Sequence, residues 1–105
     1  MSTPFLSVVI PAFNEEPRIG ATLDTVAEYL RSKQYSWEVL VVDDGSSDST
    51  ATIVSKREIG DNRIRLETVP HRGKGWAVRH GMLFVTGKVR FMCDADLAMP
   101  IDQLD

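Results

Sequence analysis

What most constrains this chain is a recurring unit: a short apolar, β-branched run, a polar cluster, then a segment with helical periodicity. Ser7-Val8-Val9-Ile10 is the first run, and Pro11 is expected to stop it. Pro17 then stands where a first helical turn tolerates proline. From there Ile19, Leu23, Val26, Ala27 and Leu30 recur on one helical face, with Arg18, Asp24, Glu28 and Arg31 opposite. Val39-Leu40-Val41-Val42 is a second buried strand, turned by Asp43-Asp44-Gly45-Ser46. Ser47 or Asp48 is expected to cap a helix through Ala51, Ile53 and Val54 towards Glu58. Ile64 to Val69 is a third strand, followed by the loop from Pro70 to Gly75 and a helix from about Trp76. Gly87 breaks that helix, Val89 to Cys93 forms a fourth strand, and Met99 to Asp105 reads as the start of another helix.

Strands alternating with helices of this length imply βαβ units, and hence an open, mostly parallel α/β sheet with helices on both faces. In such sheets ligands bind beyond the carboxyl ends of the strands. Every polar cluster in the sequence falls there: Asn14-Glu15-Glu16, Asp43-Asp44, His71 to Lys74, and Asp94 with Asp96. The chemistry is therefore expected at one edge.

Composition narrows the function. With 43% hydrophobic and 26% charged residues the chain reads as an ordinary globular domain rather than a disordered one. A net charge of -3 argues against a nucleic-acid partner, which wants a basic face. Cys93 is the only cysteine, so no internal disulfide forms and a reducing, cytoplasmic compartment is expected. The N-terminus lacks the pattern of a signal peptide, and no run approaches the roughly 20 apolar residues of a membrane span.

Asp94 and Asp96, two residues apart at the mouth of an apolar strand, can approach one hard cation such as Mg²⁺ or Mn²⁺. A diphosphate would add oxygen ligands, and the cation would offset its charge on departure. The plainer reading of such a pair is a solvated loop. Asp43 and Asp44 exceed what a turn needs: one can accept from a base N–H or a ribose hydroxyl while the other faces the turn. Phe13 is either core or a face for a nucleobase. The loop His71-Arg72-Gly73-Lys74-Gly75 has glycines, a lysine and a helix N-terminus behind it, which suits diphosphate, although it is not a Walker motif. Arg79 and His80 read as surface residues, and Cys93 as a small buried one.

Four clusters in this order, "IPAFNE" (Ile10 to Glu15), "VVDDGSSD" (Val41 to Asp48), "GKG" (Gly73 to Gly75) and "DAD" (Asp94 to Asp96), resemble family 2 glycosyltransferases of the Rossmann-like GT-A fold. Within that family the chain is most similar to enzymes that move a sugar from a nucleotide to polyprenyl phosphate, the dolichyl-phosphate glucosyl- and mannosyltransferases. The resemblance implies that Pro11, Phe13, Glu15, Val42 and Asp44 line the nucleotide pocket, with Lys74 close by. It also implies that Asp94 and Asp96 handle the sugar-nucleotide and its Mg²⁺ or Mn²⁺, with Ala95 in backbone contact. Mannosyltransferases of this group usually carry Gln two residues after the second Asp. Here Ala98 stands there, so UDP-glucose is expected over GDP-mannose, with polyprenyl (dolichyl) phosphate as acceptor.

Residues 1–105 are thus expected to form one nucleotide-sugar-binding domain, cut shortly after the acidic motif, with acceptor-binding and any basic catalytic residues beyond Asp105. Alone, the segment is expected to bind nucleotide weakly and not to turn over. With a lipid-borne acceptor, the complete enzyme would work at the cytoplasmic face of a membrane. An open sheet of four strands would expose apolar surface, so self-association is also expected.

Rival readings differ in chemistry. A response-regulator receiver shares "VLVVDD", but it needs a Ser/Thr and a Lys on later strands and has no βα unit before its acidic pair. A haloacid-dehalogenase-type phosphatase expects Thr or Val at position 98, and its motif on the first strand. A non-catalytic fragment keeping the fold alone stays open.

Overall fold

The computed structural model describes residues 3–96. Seven elements alternate: β1 (Leu6–Ala12), α1 (Glu16–Arg31), β2 (Trp37–Asp44), α2 (Thr50–Gly60), β3 (Ile64–Val69), α3 (Lys74–Phe84) and β4 (Val89–Met92). The strands form one parallel sheet in the order β3-β2-β1-β4. The expected C-terminal helix and the Ala98 position lie outside the described residues.

The β-branched runs are near-continuous because both sheet faces are covered. Val8, Ile10, Val39 and Val41 pack with Ile19, Leu23, Val26 and Leu30 of α1 and Val54 of α2. Val9, Leu40 and Val42 face the other way, towards Ala77 of α3 and Val85. Each such aliphatic side chain contributes about 1.5–3 kcal/mol when fully buried, against about 0–1 kcal/mol for an exposed ion pair. Packing therefore seats α1, and the two 3.0 Å bonds from Arg57 to Asp24 only tie it to α2.

Several boundaries differ from the sequence expectation. Pro11 does not stop β1, which runs on to Ala12. Peptide groups of a strand point alternately to its two neighbours. Phe5 and Val9 present their carbonyls to β4 through Val89 N and Cys93 N. Pro11 therefore points to the same side, where pairing has already ended at Val9–Met92. Its missing N–H costs the sheet nothing there. Secondly, β2 keeps Asp43 and Asp44 in its ladder, paired with Thr68 and Val69. Thirdly, α3 begins at Lys74 rather than Trp76, its first turn closed by Ala77 N donating to Gly73 O. The cap of α2 is Ser49 rather than Ser47 or Asp48, although Asp48 Oδ1 does accept from Thr50 N at 3.0 Å.

Gly81 lets α3 lie close on the sheet. A Cβ there would stand 2.5 Å from Val9 Cγ1 and 2.9 Å from Val42 Cγ2. At the opposite end of the strands, the buried Ser7 donates to Glu38 Oε2 at 2.6 Å and accepts from Gly87 N at 2.9 Å, tying the α3–β4 turn to β1. Asp61, in the turn between α2 and β3, ties that turn to α1 by accepting from Arg31 and also accepts from Arg63 within the turn. The Arg63 guanidinium, helped by Arg31, lowers its pKa to about 2. No helix among the described residues is long and apolar enough to cross a membrane.

Gly81→Ala should destabilise the domain by about 1–2 kcal/mol in urea melts, because overpacking outweighs a helix-propensity gain of about 1 kcal/mol. A more stable variant would show that α3 is not seated this closely. Asp61 has a folded pKa below its unfolded value of about 3.9, so its contribution is complete above that value. It is lost as pH falls from about 4 through about 2. Asp61→Asn should therefore flatten the acid limb of the stability–pH curve and leave its slope near pH 7 unchanged.

Candidate functional site

The strand order reverses direction on the two sides of β1, since β2 and β3 lie on one side and β4 on the other. A cavity of about 320 Å³ opens at the carboxyl ends of the strands, where such a reversal leaves a crevice. Pro11 and Ala12 line it from β1, Phe13 and Glu15 from the loop after it, Asp44 from β2, His71 and Gly73 from the β3–α3 connection, and Lys74 and Ala77 from α3. Asp94, Ala95 and Asp96 complete the wall after β4.

Two loops are locked together before any ligand enters. Asn14, in the left-handed region at φ 53°, donates its N–H to Ser46 Oγ and accepts from Ser47 N, both at 2.8 Å. Glu15 N donates to Thr50 Oγ1 at 2.9 Å, and Ser49 N donates to Glu16 Oε1 at 2.9 Å. The segments after β1 and β2 thus satisfy each other's helix ends.

The adjacent acids divide their work. Asp43 faces the turn, where its Oδ1 accepts from Ser46 N. Asp44, also buried, faces the cavity side and accepts from Arg72 N at 2.8 Å and Gly73 N at 3.0 Å. Gly45 is required between them and the β3–α3 loop: its φ is +71°, and a Cβ would meet His71 N at 2.8 Å. His71 stacks on the exposed Phe13, ring centroids 4.2 Å apart.

Across the cavity, Lys74 Nζ stands 2.5 Å from Asp94 Oδ1. That carboxylate raises the lysine pKa, with smaller contributions from Asp96 and Glu15. Ala95 turns its methyl into the core, and its carbonyl accepts from the buried hydroxyl of Thr22 on α1. Cys93 is buried, and burial, with the charges of Asp94 and Asp96, pushes its thiol up to about 11. It is a core residue rather than a nucleophile. Among the described residues no three His, Cys, Asp or Glu side chains converge as a metal cluster. Asp94 and Asp96 are hard oxygen donors of the kind Mg²⁺ or Mn²⁺ takes, and Asp94 is held in an ion pair with Lys74.

Glycosyl transferase family 2 matches residues 7–105. The chain belongs to that family. A dolichyl-phosphate beta-glucosyltransferase of Mus musculus is 41% identical over 102 residues, covering 90% of this chain and 32% of that protein. One from Dictyostelium discoideum is 39% identical over 100 residues, covering 88% and 31%. The chain thus spans about a third of the length of the curated relatives it matches. Among solved structures, a Pyrobaculum calidifontis mannosyltransferase in complex with GDP-Man and Mn²⁺ aligns with TM-score 0.76 and 31% identity, covering 99% of this chain and 31% of that one. Glucosyl-3-phosphoglycerate synthase of Mycobacterium tuberculosis, in complex with Mn²⁺, UDP and glucosyl-3-phosphoglycerate, aligns with TM-score 0.67 and 29% identity over 88% and 33% of the two chains. The Rossmann-like α/β fold expected from the motifs is the one this chain shares with these solved structures.

Most residues singled out from the sequence meet at this cavity: Pro11, Phe13, Glu15, Asp44, Lys74, Asp94, Ala95 and Asp96. Val42 does not. Its side chain is wholly buried under α3, in the layer that Gly81 approaches, and it supports the wall from beneath. Sequence reasoning gave no separate role to His71, Asn14, Ser46, Thr50 or Thr22. Thr22 did carry a signal, since it is a hydroxyl on the otherwise apolar stripe of α1.

Thr22→Val keeps the shape but leaves the Ala95 carbonyl buried without its partner, which should cost about 1–3 kcal/mol. Amide exchange at Ala95 and Asp96 should accelerate, and Thr22→Ser should restore it. Exchange unchanged in Thr22→Val would show that the acidic segment is held by something else.

Proposed function

We propose that this chain is the donor-binding part of a metal-dependent glycosyltransferase that takes a nucleotide-diphosphate sugar, UDP-glucose in preference to GDP-mannose. The convergence of Phe13, Asp44, Lys74, Asp94 and Asp96 on one strand-end cavity carries this reading. Phe13 offers an aromatic face and Asp44 a carboxylate, which together suit a nucleobase. Lys74 and the first N–H groups of α3 suit a diphosphate, since a helix N-terminus attracts anions. Asp94 and Asp96 would hold the divalent cation, which supplies charge neutralisation on the departing diphosphate. The glucose preference is supported by the printed activity of the curated relatives and by Ala98 in the sequence. By the same similarity the acceptor is dolichyl or another polyprenyl phosphate, and a lipid-borne acceptor would put the complete enzyme at a membrane, for which we propose the cytoplasmic face.

Thermal-shift measurements with UDP, GDP, UDP-glucose and GDP-mannose, each with and without Mn²⁺, test this reading. A ligand at a hundredfold excess over its Kd adds about 2.7 kcal/mol of stability, a shift of several degrees. The uridine ligands should give the larger shift, dependent on Mn²⁺, and Asp96→Ala should remove the Mn²⁺-dependent part. An unchanged shift in Asp96→Ala would refute its role as a ligand. Stabilisation by beryllofluoride with Mg²⁺, and by no nucleotide, would favour a receiver instead.

A further inference from the structure

One side chain on the cavity wall already makes the contacts that a bound base would need. The His71 imidazole lies on Phe13, with planes inclined by 26° and centroids 4.2 Å apart. Its Nδ1 is 3.0 Å from Asp44 Oδ2 and 3.1 Å from the Asp44 carbonyl oxygen. Both neighbours of Nδ1 are acceptor oxygens, so Nδ1 carries the hydrogen and donates. A flat unsaturated heterocycle thus covers an aromatic face while its ring N–H donates to the Asp44 carbonyl oxygen and stands 3.0 Å from that residue's buried carboxylate.

We propose that His71 is an intramolecular placeholder for the nucleobase, and that nucleotide binding exchanges one stacked N–H heterocycle for another. This rests on the nucleotide-sugar reading of the cavity. Rings 4.2 Å apart leave no gap for a base, so a base can reach this face of Phe13 only when His71 leaves. Asp44 also accepts from Arg72 N and Gly73 N, which the main chain fixes in place. The imidazole is the one donor of this set on a side chain free to rotate, and that side chain is 57% exposed. It covers Phe13 and lies against a carboxylate that is only 3% exposed. Breaking those contacts lowers the apparent nucleotide affinity, because only the displaced form accepts a base.

Calorimetric titration of UDP and of uridine into the full chain and its His71→Ala variant tests the proposal. Both ligands should bind the variant more tightly, by about fivefold, the factor that one net hydrogen bond of ordinary strength represents. In the wild-type chain, Phe13 should shift the His71 ring-proton resonances upfield. Saturating UDP should move them to unstacked values, whereas pyrophosphate alone should not. Equal or weaker binding to His71→Ala, or His71 resonances that stay stacked in the UDP complex, would overturn the proposal while leaving nucleotide binding intact. Failure of both chains to bind UDP would overturn the nucleotide reading itself, and the placeholder with it.

Discussion

Strand β1 is hydrogen-bonded on both sides, to β2 along its whole length and to β4 along its first half, and the rest of the molecule takes its position from that asymmetry. The helices that return the chain from β1 to β2 and from β2 to β3 build the sheet outward in one direction. The connection through α3 must then cross back over β2 and β1 to lay β4 on the far side, which among the described residues leaves α3 as the one helix on its face of the sheet. That crossing is feasible because Gly81 has no Cβ to collide with Val9 and Val42. Its result is an acidic segment after β4 facing the loops after β1, β2 and β3 across a crevice.

Hydrogen bonding then converts the crevice into a shaped site. Asn14 and Ser46 join two loops, Asp44 draws the β3–α3 connection towards β2, and Thr22 anchors the acidic segment to α1. Each bond is worth about 0.5–1.5 kcal/mol net, too little to decide the fold against the burial of a dozen aliphatic side chains. They decide instead where a few polar atoms stand. Packing therefore sets the architecture, and the side-chain hydrogen bonds set the site.

The strand centres were legible because β-branched runs such as Val39 to Val42 permit little else. The strand ends were not, because Pro11 and Asp43-Asp44 look like terminators but remain in the ladder. Pro11 stays because its absent donor faces an unpaired side, and the two acids stay because Asp43 bonds the backbone of its own turn and Asp44 that of the β3–α3 connection. Most of the cavity wall was legible because strand-end position selects it. Val42 was misplaced for a reason of depth. It shares a strand face with Asp44 but lies two residues further into the sheet, where α3 covers it. His71 was obscured because its loop reads as a phosphate grip, whereas its stacking on Phe13 is a tertiary contact across 58 residues of chain.

Pro11 has one more effect. At the point where β1 outlasts β4, the backbone presents a ring carbon where a hydrogen-bond donor would otherwise invite another strand. An extended segment reaching this notch, from a neighbouring loop or from another molecule, finds the ladder already broken and cannot zip onwards. The mouth of the crevice is thereby kept open by covalent structure. The loops around it can change in length and sequence without the danger of sealing it by β-pairing.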